Sequence, residues 1–335
     1  MLDQLFTKFK VKDLEFPNRL VMAPMTRRQC PNGVPTDTVA EYYWRRVSGG
    51  LGMIITEGTL VDHPLAAPVP DIPRIHGASL DGWRKVLDRC RPAGVPFFVQ
   101  LWHQGPKARP GMGAVPIVEE GEEVVQEAKE KDYEDIFEAF TKAARLAKEV
   151  GFHGIEFHGA HGYLLDSFIR AGNVSFVCDI VRESRKLVGP DYPLCIRFSQ
   201  WGVGDFDARQ FATPEELENV LLPLKDAGID IFHASTRRFW LPEFEGSDLN
   251  LAGWTKKITS SPTITVGNIG LVTSEFTGDG PESFKSVEKR FENGEFDLVA
   301  VGRALLSEAE WCNKVRGDRT DEIVDWTKEA NKIFP

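Results

Sequence analysis

Residues 158–166 read HGAHGYLLD and follow directly on the run GFHGIEF. Within six positions the stretch supplies two imidazoles, His158 and His161, and a phenol, Tyr163. All three can donate hydrogen bonds, and the imidazoles change charge near neutral pH. Two histidines also suit a metal, yet three-apart spacing on an extended segment turns them to different sides, and the sequence places no carboxylate or third histidine with them. Each also fits a core in which its ring is hydrogen-bonded, and Tyr163 fits packing at the start of the next helix. What else the chain brings to the same place decides between these readings.

Eight short apolar runs predict strands: LVMAPM (20–25), MIITEGTLV (53–61), PFFVQLWH (96–103), GIEFHGA (154–160), PLCIRFSQW (193–201), DIFHAST (230–236), TITVGN (263–268) and LVAVGRALL (298–306). Segments of helical periodicity lie between them. Ile136, Phe137, Phe140, Ala143, Ala144, Ala147 and Val150 recur at helical spacing until Gly151 stops the run. Thr213, Pro214 and Glu216 open TPEELENVLLPLKDAG as an N-cap, a first-turn proline and a capping box. Strand–helix alternation repeated eight times predicts an α/β fold, the (β/α)8 TIM barrel, as one domain over residues 1–335. FTKFKVKDLEFPNR reads as an N-terminal capping hairpin. GMGAVPIVEEGEEVVQEAKEKD (111–132) reads as a long acidic insertion after the third strand, either a solvated surface or a loop overhanging the mouth.

Such barrels gather their chemistry at the C-terminal ends of the strands. Those ends carry Pro24-Met25-Thr26-Arg27, Glu57-Gly58, Gln100-Leu101-Trp102-His103, His158 through His161, Arg197, His233-Ala234-Ser235, Gly267-Asn268 and Gly302-Arg303. Gly267 and Gly302 permit close backbone approach and Arg303 supplies a charged fork, which together suit the phosphate site that barrels build at strands seven and eight. The plainer reading is that both glycines ease turns. Gln100, Arg197 and Thr26 could complement the donor and acceptor edge of a planar cofactor ring, with Arg197 offsetting negative charge.

Composition narrows the partners. A formal net charge of -10 argues against nucleic acid or an anionic membrane surface. No apolar run reaches the roughly 20 residues of a bilayer span, and the first residues have no signal-peptide pattern, so the expected location is cytoplasmic. Five scattered cysteines form no metal-ligand spacing and read as buried thiols.

The segments NRLVMAPMTRR, EYYWRR, GMIITEGTLVD, VQLWHQG, GIEFHGAHGYLLDSF, IRFSQW, TITVGNIG and DLVAVGRALL, in this order from about residue 18 to about residue 310, together resemble the Old Yellow Enzyme family of flavin-dependent ene reductases. The resemblance implies a barrel that binds FMN and takes hydride from NAD(P)H. By it, Pro24, Met25 and Thr26 contact the isoalloxazine, Gly58 and Gln100 meet its pyrimidine side, and Arg197 lies beside its N1 edge. Gly267, Asn268, Gly302 and Arg303 match the phosphate-binding group. His158 and His161 match the pair that hydrogen-bonds a substrate carbonyl oxygen, and Tyr163 matches the proton donor to the substrate's α carbon. Trp102 resembles a pocket-wall residue. Trp240, with Arg237 and Arg238, lies in STRRFWLPEFEG (235–246), a basic and aromatic loop that suits either the substrate or nicotinamide entrance or packing on its own barrel.

Two passages depart from the family's pattern. LLDSFIRAGNVSFVCDIVRESRKLVG runs almost straight into a helix where members carry a longer loop, and the segment before the third long helix is compact. The expected activity is reduction of the C=C bond of α,β-unsaturated carbonyl compounds. A nitro compound or dienoyl thioester as acceptor, a flavin binder with little turnover, and a metal-dependent hydrolase are the alternatives; oligomeric state is left open.

Overall fold

The computed structural model describes residues 2–271, 282–332 and 334. Eight parallel strands close into a barrel: β1 (Leu20–Met22), β2 (Met53–Leu60), β3 (Phe97–Trp102), β4 (Gly154–His158), β5 (Leu194–Ser199), β6 (Ile231–Ser235), β7 (Thr263–Val266) and β8 (Leu298–Val301). Each pairs with its sequence neighbours, and β8 closes on β1 through Val299 opposite Leu20. Helices α1 (Asp37–Ser48), α2 (Ser79–Cys90), α3 (Glu130–Val150), α4 (Val174–Val188), α5 (Pro214–Ala227), α6 (Leu251–Thr259), α7 (Glu282–Glu292) and α8 (Trp311–Arg316) follow the strands in turn. All eight predicted strands form. The eighth is shorter than its apolar run, because Ala304–Ser307 turns helical.

Alternation along the strands explains where the site lies. The first inward positions are apolar: Val21, Met53, Phe98, Cys195, Ile231, Ile264 and Leu298 pack into one inner cluster with Val11 and Phe16. Phe9–Val11 and Leu14–Phe16 form the expected hairpin. It plugs the N-terminal end of the barrel, with the Phe16 ring 6.4 Å from that of Phe98. Gly154 is required here, since a Cβ on it would fall 2.4 Å from the Phe98 ring. Two residues further along, the same inward face turns polar: Gln100 pairs with Glu156, and Arg197 with His158 on one side and His233 on the other.

The α5 start follows the sequence closely. Thr213 accepts from the Glu216 N–H at 3.2 Å, but the Glu216 carboxylate reaches back to the Ala212 N–H at 2.6 Å rather than to that of Thr213. Gly151 ends α3 with φ 108°. The acidic insertion at 111–132 holds a three-stranded sheet, with Glu122–Glu127 between Gly111–Gly113 and Ile117–Glu119, followed by the start of α3. In its central strand, EEVVQE, Val125 is buried and Glu122, Glu123, Gln126 and Glu127 are exposed. Pro281, which opens the helical-period segment PESFKSVEKRFENG before the eighth strand, lies outside the described residues. Among the described residues no helix is long and apolar enough to cross a membrane.

Candidate active site

The strand ends enclose a cavity of about 490 Å³. His158 ends β4, after which Gly159 to Gly162 turn the chain sharply. His161 takes φ 68° there, a left-handed conformation that a histidine adopts only at a cost. The Ser199 hydroxyl accepts its N–H at 2.9 Å, and its carbonyl accepts from Val203 N–H at 2.9 Å. The turn cancels the divergence expected of an extended segment. The two imidazoles lie 5.1 Å apart at 87°, and the Tyr163 ring stands edge-on to His158 at 4.8 Å. Two tryptophans bracket this trio: Trp102 is 5.1 Å from Tyr163, and Trp201 stacks on His161 at 4.2 Å.

The electrostatics keep the donors neutral. Burial, reinforced by the Arg197 charge, pushes both His158 and His161 well below the ordinary histidine range, so each is uncharged at neutral pH. Burial raises the Tyr163 phenol, with Arg197 partly opposing, so it keeps its proton. Beneath them Glu156 is fully buried. Burial pushes its carboxyl up, but His233, Arg197 and Gln100 together outweigh burial and hold it below the usual carboxylate range. His233 Nδ1 lies 2.6 Å from one of its oxygens, and Gln100 donates to the other at 2.8 Å. Gln100 therefore spends an N–H on Glu156 and turns the rest of its amide to the cavity.

At the other side, Gly267, Asn268, Gly302 and Arg303 line the same cavity. The two glycines differ. Gly267 has φ 155° and a Cβ on it would meet Thr236 Oγ1 at 2.5 Å, so the fold itself demands it. A Cβ on Gly302 would have no protein neighbour nearer than 3.8 Å, so packing does not demand a glycine there, and the space it leaves opens on the cavity. Arg303 holds Asn268 Oδ1 and lies over the Trp326 ring at 4.7 Å. Burial, then the nearby Arg237, lowers the affinity of Arg303 for its proton, which puts two guanidiniums around one space. An anion is what such a space accepts.

Orphaned donors point the same way. His158 Nδ1, Arg197 Nε, Trp102 Nε1 and Trp201 Nε1 are buried without a hydrogen-bond partner, and all four belong to cavity-wall residues. Buried polar atoms of this kind call for a ligand partner. A flat ring with hydrogen-bonding edges and a phosphate tail, which is FMN, fits this set of walls. Among the described residues no group of three or more His, Cys, Asp or Glu is arranged to hold a metal ion.

Pro24, Met25, Thr26, Gln100, Trp102, His158, His161, Tyr163, Arg197, Gly267, Asn268, Gly302 and Arg303 all meet at this cavity. Gly58 and Trp240 do not line it. Gly58 lies under Trp102, where a Cβ would strike the indole at 2.6 Å. Trp240 packs edge-on against Phe239 at 5.4 Å, and its carbonyl accepts from Arg290. Glu57 supports the β1 loop by accepting the Arg27 N–H at 2.8 Å. Sequence reasoning missed Trp201 and Phe206, which stand on an irregular loop, and gave no role to Glu156 or Ser235. The last two had a signal: each lies on the inward face of its strand, two residues from another inward polar group.

Residues 4–173, just over half of the chain, match the profile of the NADH:flavin oxidoreductase / NADH oxidase family. The chain is 30% identical over 352 residues to an NADH oxidase of Thermoanaerobacter brockii, covering 95% of this chain and 52% of the relative. It is 35% identical over 191 residues to 12-oxophytodienoate reductase 7 of Oryza sativa subsp. japonica, covering 50% of this chain and 48% of the relative. It thus spans about half the length of these curated relatives. In fold it matches the solved structure of an old yellow enzyme homologue from Zymomonas mobilis, with TM-score 0.79, 19% identity and 99% of both chains covered.

Proposed function

The chain belongs to the NADH:flavin oxidoreductase / NADH oxidase family, and from that premise we propose that it uses FMN and NAD(P)H to reduce the C=C bond of α,β-unsaturated carbonyl compounds. The observation that carries this reading is the convergence of two neutral imidazoles and a protonated phenol on one wall of a cavity whose floor holds Arg197 and Gln100. When bound, FMN would supply the two-electron hydride chemistry that links NAD(P)H to the substrate's β carbon.

The residues of the chain do the rest. His158 and His161 donate hydrogen bonds to the carbonyl oxygen, where negative charge develops as the C=C bond is reduced, and in a buried site such donors act strongly. Tyr163 gives its phenol proton to the α carbon, and the tyrosinate is reprotonated from solvent. Arg197 offers positive charge to the cofactor ring, Gln100 a donor and an acceptor, and Thr26, with Pro24 and Met25, the opposite wall. Gly267, Asn268, Gly302 and Arg303 hold the phosphate. Trp102 and Trp201 confine a flat substrate between them. Arg237 and Arg238, exposed beyond β6, line a second hollow of about 300 Å³ that shares Trp201, Phe206 and Ser235 with the first, and we read it as the berth of the dinucleotide's phosphates.

The test separates the half-reactions. Tyr163→Phe should slow oxidation of the reduced protein by 2-cyclohexenone about 10²- to 10⁴-fold, the span of a general acid's contribution, while leaving flavin reduction by NAD(P)H unchanged. Equal slowing of both steps would refute the proton-donor assignment. A wild-type protein that takes up no FMN would refute the reading as a whole.

A further inference from the structure

Ser235 closes β6 at 1% exposure, and its hydroxyl touches both sides of the site. Arg197 Nη2 donates to Ser235 Oγ at 3.1 Å, and His161 Nε2 lies 2.8 Å from the same oxygen. A guanidinium can only donate, so the hydroxyl must accept from Arg197. The hydroxyl's own proton then needs an acceptor, and among the described residues the other group at hydrogen-bond distance is His161 Nε2. Were Nε2 to carry a proton instead, two hydrogens would face each other or the serine proton would be buried unmatched, which is costly. All three groups are satisfied only when the donors run Arg197 to Ser235 to His161.

We propose that Ser235 is a positioning residue that fixes His161 as the Nδ1–H tautomer, so that this imidazole meets a ligand's carbonyl oxygen as a hydrogen-bond donor backed by the Arg197 charge. The proposal rests on the reading of His161 as a carbonyl-binding group. Neutral histidine is what makes a tautomer choice necessary, and burial beside Arg197 keeps it neutral. Trp201, stacked on the ring, and the Ser199 hydroxyl on the His161 N–H hold the plane of the imidazole, and within that plane the contact with Ser235 favours the orientation that turns Nε2 to the hydroxyl. The hydrogen-bond chain also polarises itself: a hydroxyl that accepts from a cation donates more strongly onward, and the imidazole N–H beyond it is more acidic for that.

The decisive measurement uses FMN-loaded protein labelled with ¹⁵N-histidine, in which long-range ¹⁵N–¹H spectra report the tautomer of each ring and the His161→Ala variant identifies the signals. The wild type should show His161 protonated at Nδ1, and Ser235→Ala should shift it toward the Nε2–H form, while Ser235→Thr, which keeps the hydroxyl, restores the wild-type pattern. Wild-type His161 found protonated at Nε2, or a tautomer indifferent to Ser235→Ala, would overturn the proposal. A parallel titration with 4-hydroxybenzaldehyde separates the proposal from the reading beneath it. Ser235→Ala should weaken binding about tenfold and Ser235→Thr should recover it. Affinity unchanged in His161→Ala, with the tautomer behaving as expected, would instead sink the role of His161 as a carbonyl donor.

Discussion

Glu57 shows at the level of one residue how burial stores a pH response. Its carboxyl is fully buried, with one oxygen accepting the Arg27 N–H and the other unpartnered. Burial pushes it up to about 7 from an ordinary 4.5, against the pull of the Arg27 and Arg28 backbone N–H groups. The folded chain therefore holds this proton more tightly than the unfolded chain. Between pH 4.5 and 7 the unfolded state binds fewer protons, so this group makes the protein less stable as pH rises through that window, with the full cost present above it. At roughly 1.4 kcal/mol per pKa unit the span is on the order of 3 kcal/mol. Glu57→Gln keeps an oxygen for Arg27 and removes the charge. The variant's stability relative to wild type, measured by urea unfolding, should thus rise from pH 5 to pH 8 by that order. A gap that stays constant across this range would mean that Glu57 is not the group titrating.

Among the elements, the ends of β7 and β8 look alike in sequence and differ in what they ask of the protein. Gly267 is a demand of the fold, because its backbone and its contact with Thr236 exclude a side chain. Gly302 is demanded by neither backbone nor packing, and we propose the ligand as the reason for it. Gly267→Ala should therefore destabilise the FMN-free protein by about 1–3 kcal/mol. Gly302→Ala should leave that stability within about 0.5 kcal/mol and weaken FMN binding at least tenfold, read by flavin fluorescence on titration. Equal loss of stability in both variants would return Gly302 to an ordinary turn. In sequence the pair forms one motif, since glycine looks the same whether the fold or a ligand excludes its side chain.

For the whole molecule, every barrel strand is hydrogen-bonded to two others and the hairpin plugs the end opposite the cavity. We propose that residues 1–335 form one domain. Thermal unfolding should then show a single cooperative transition. FMN at about 100 times its dissociation constant should raise stability by about 2.7 kcal/mol, since it binds only the folded state. A metal chelator should not move the transition. Two separate transitions, with FMN shifting one alone, would divide the chain.

The order and number of barrel strands, the capping hairpin and most of the cavity wall were legible in the sequence, because each rests on local rules: apolar runs, helix periodicity, and polar residues where strands end. Thirteen of the fifteen expected site residues meet at one cavity, since a barrel carries all strand ends to one rim. The other two do not line that cavity, for a reason that local spacing does not carry. Gly58 is roofed by the Trp102 indole and Trp240 packs against Phe239, and both facts depend on side chains distant along the chain or on the path of a loop. The same holds for the pairing of His158 with His161, which spacing alone assigned to opposite sides and a left-handed turn brought together. Spacing fixes which residues reach the rim. Only tertiary packing decides which atoms there are left without partners and which way a shared proton points, because hydrogen bonds such as Arg197 to Ser235 and Ser235 to His161 join strands that lie far apart in the chain.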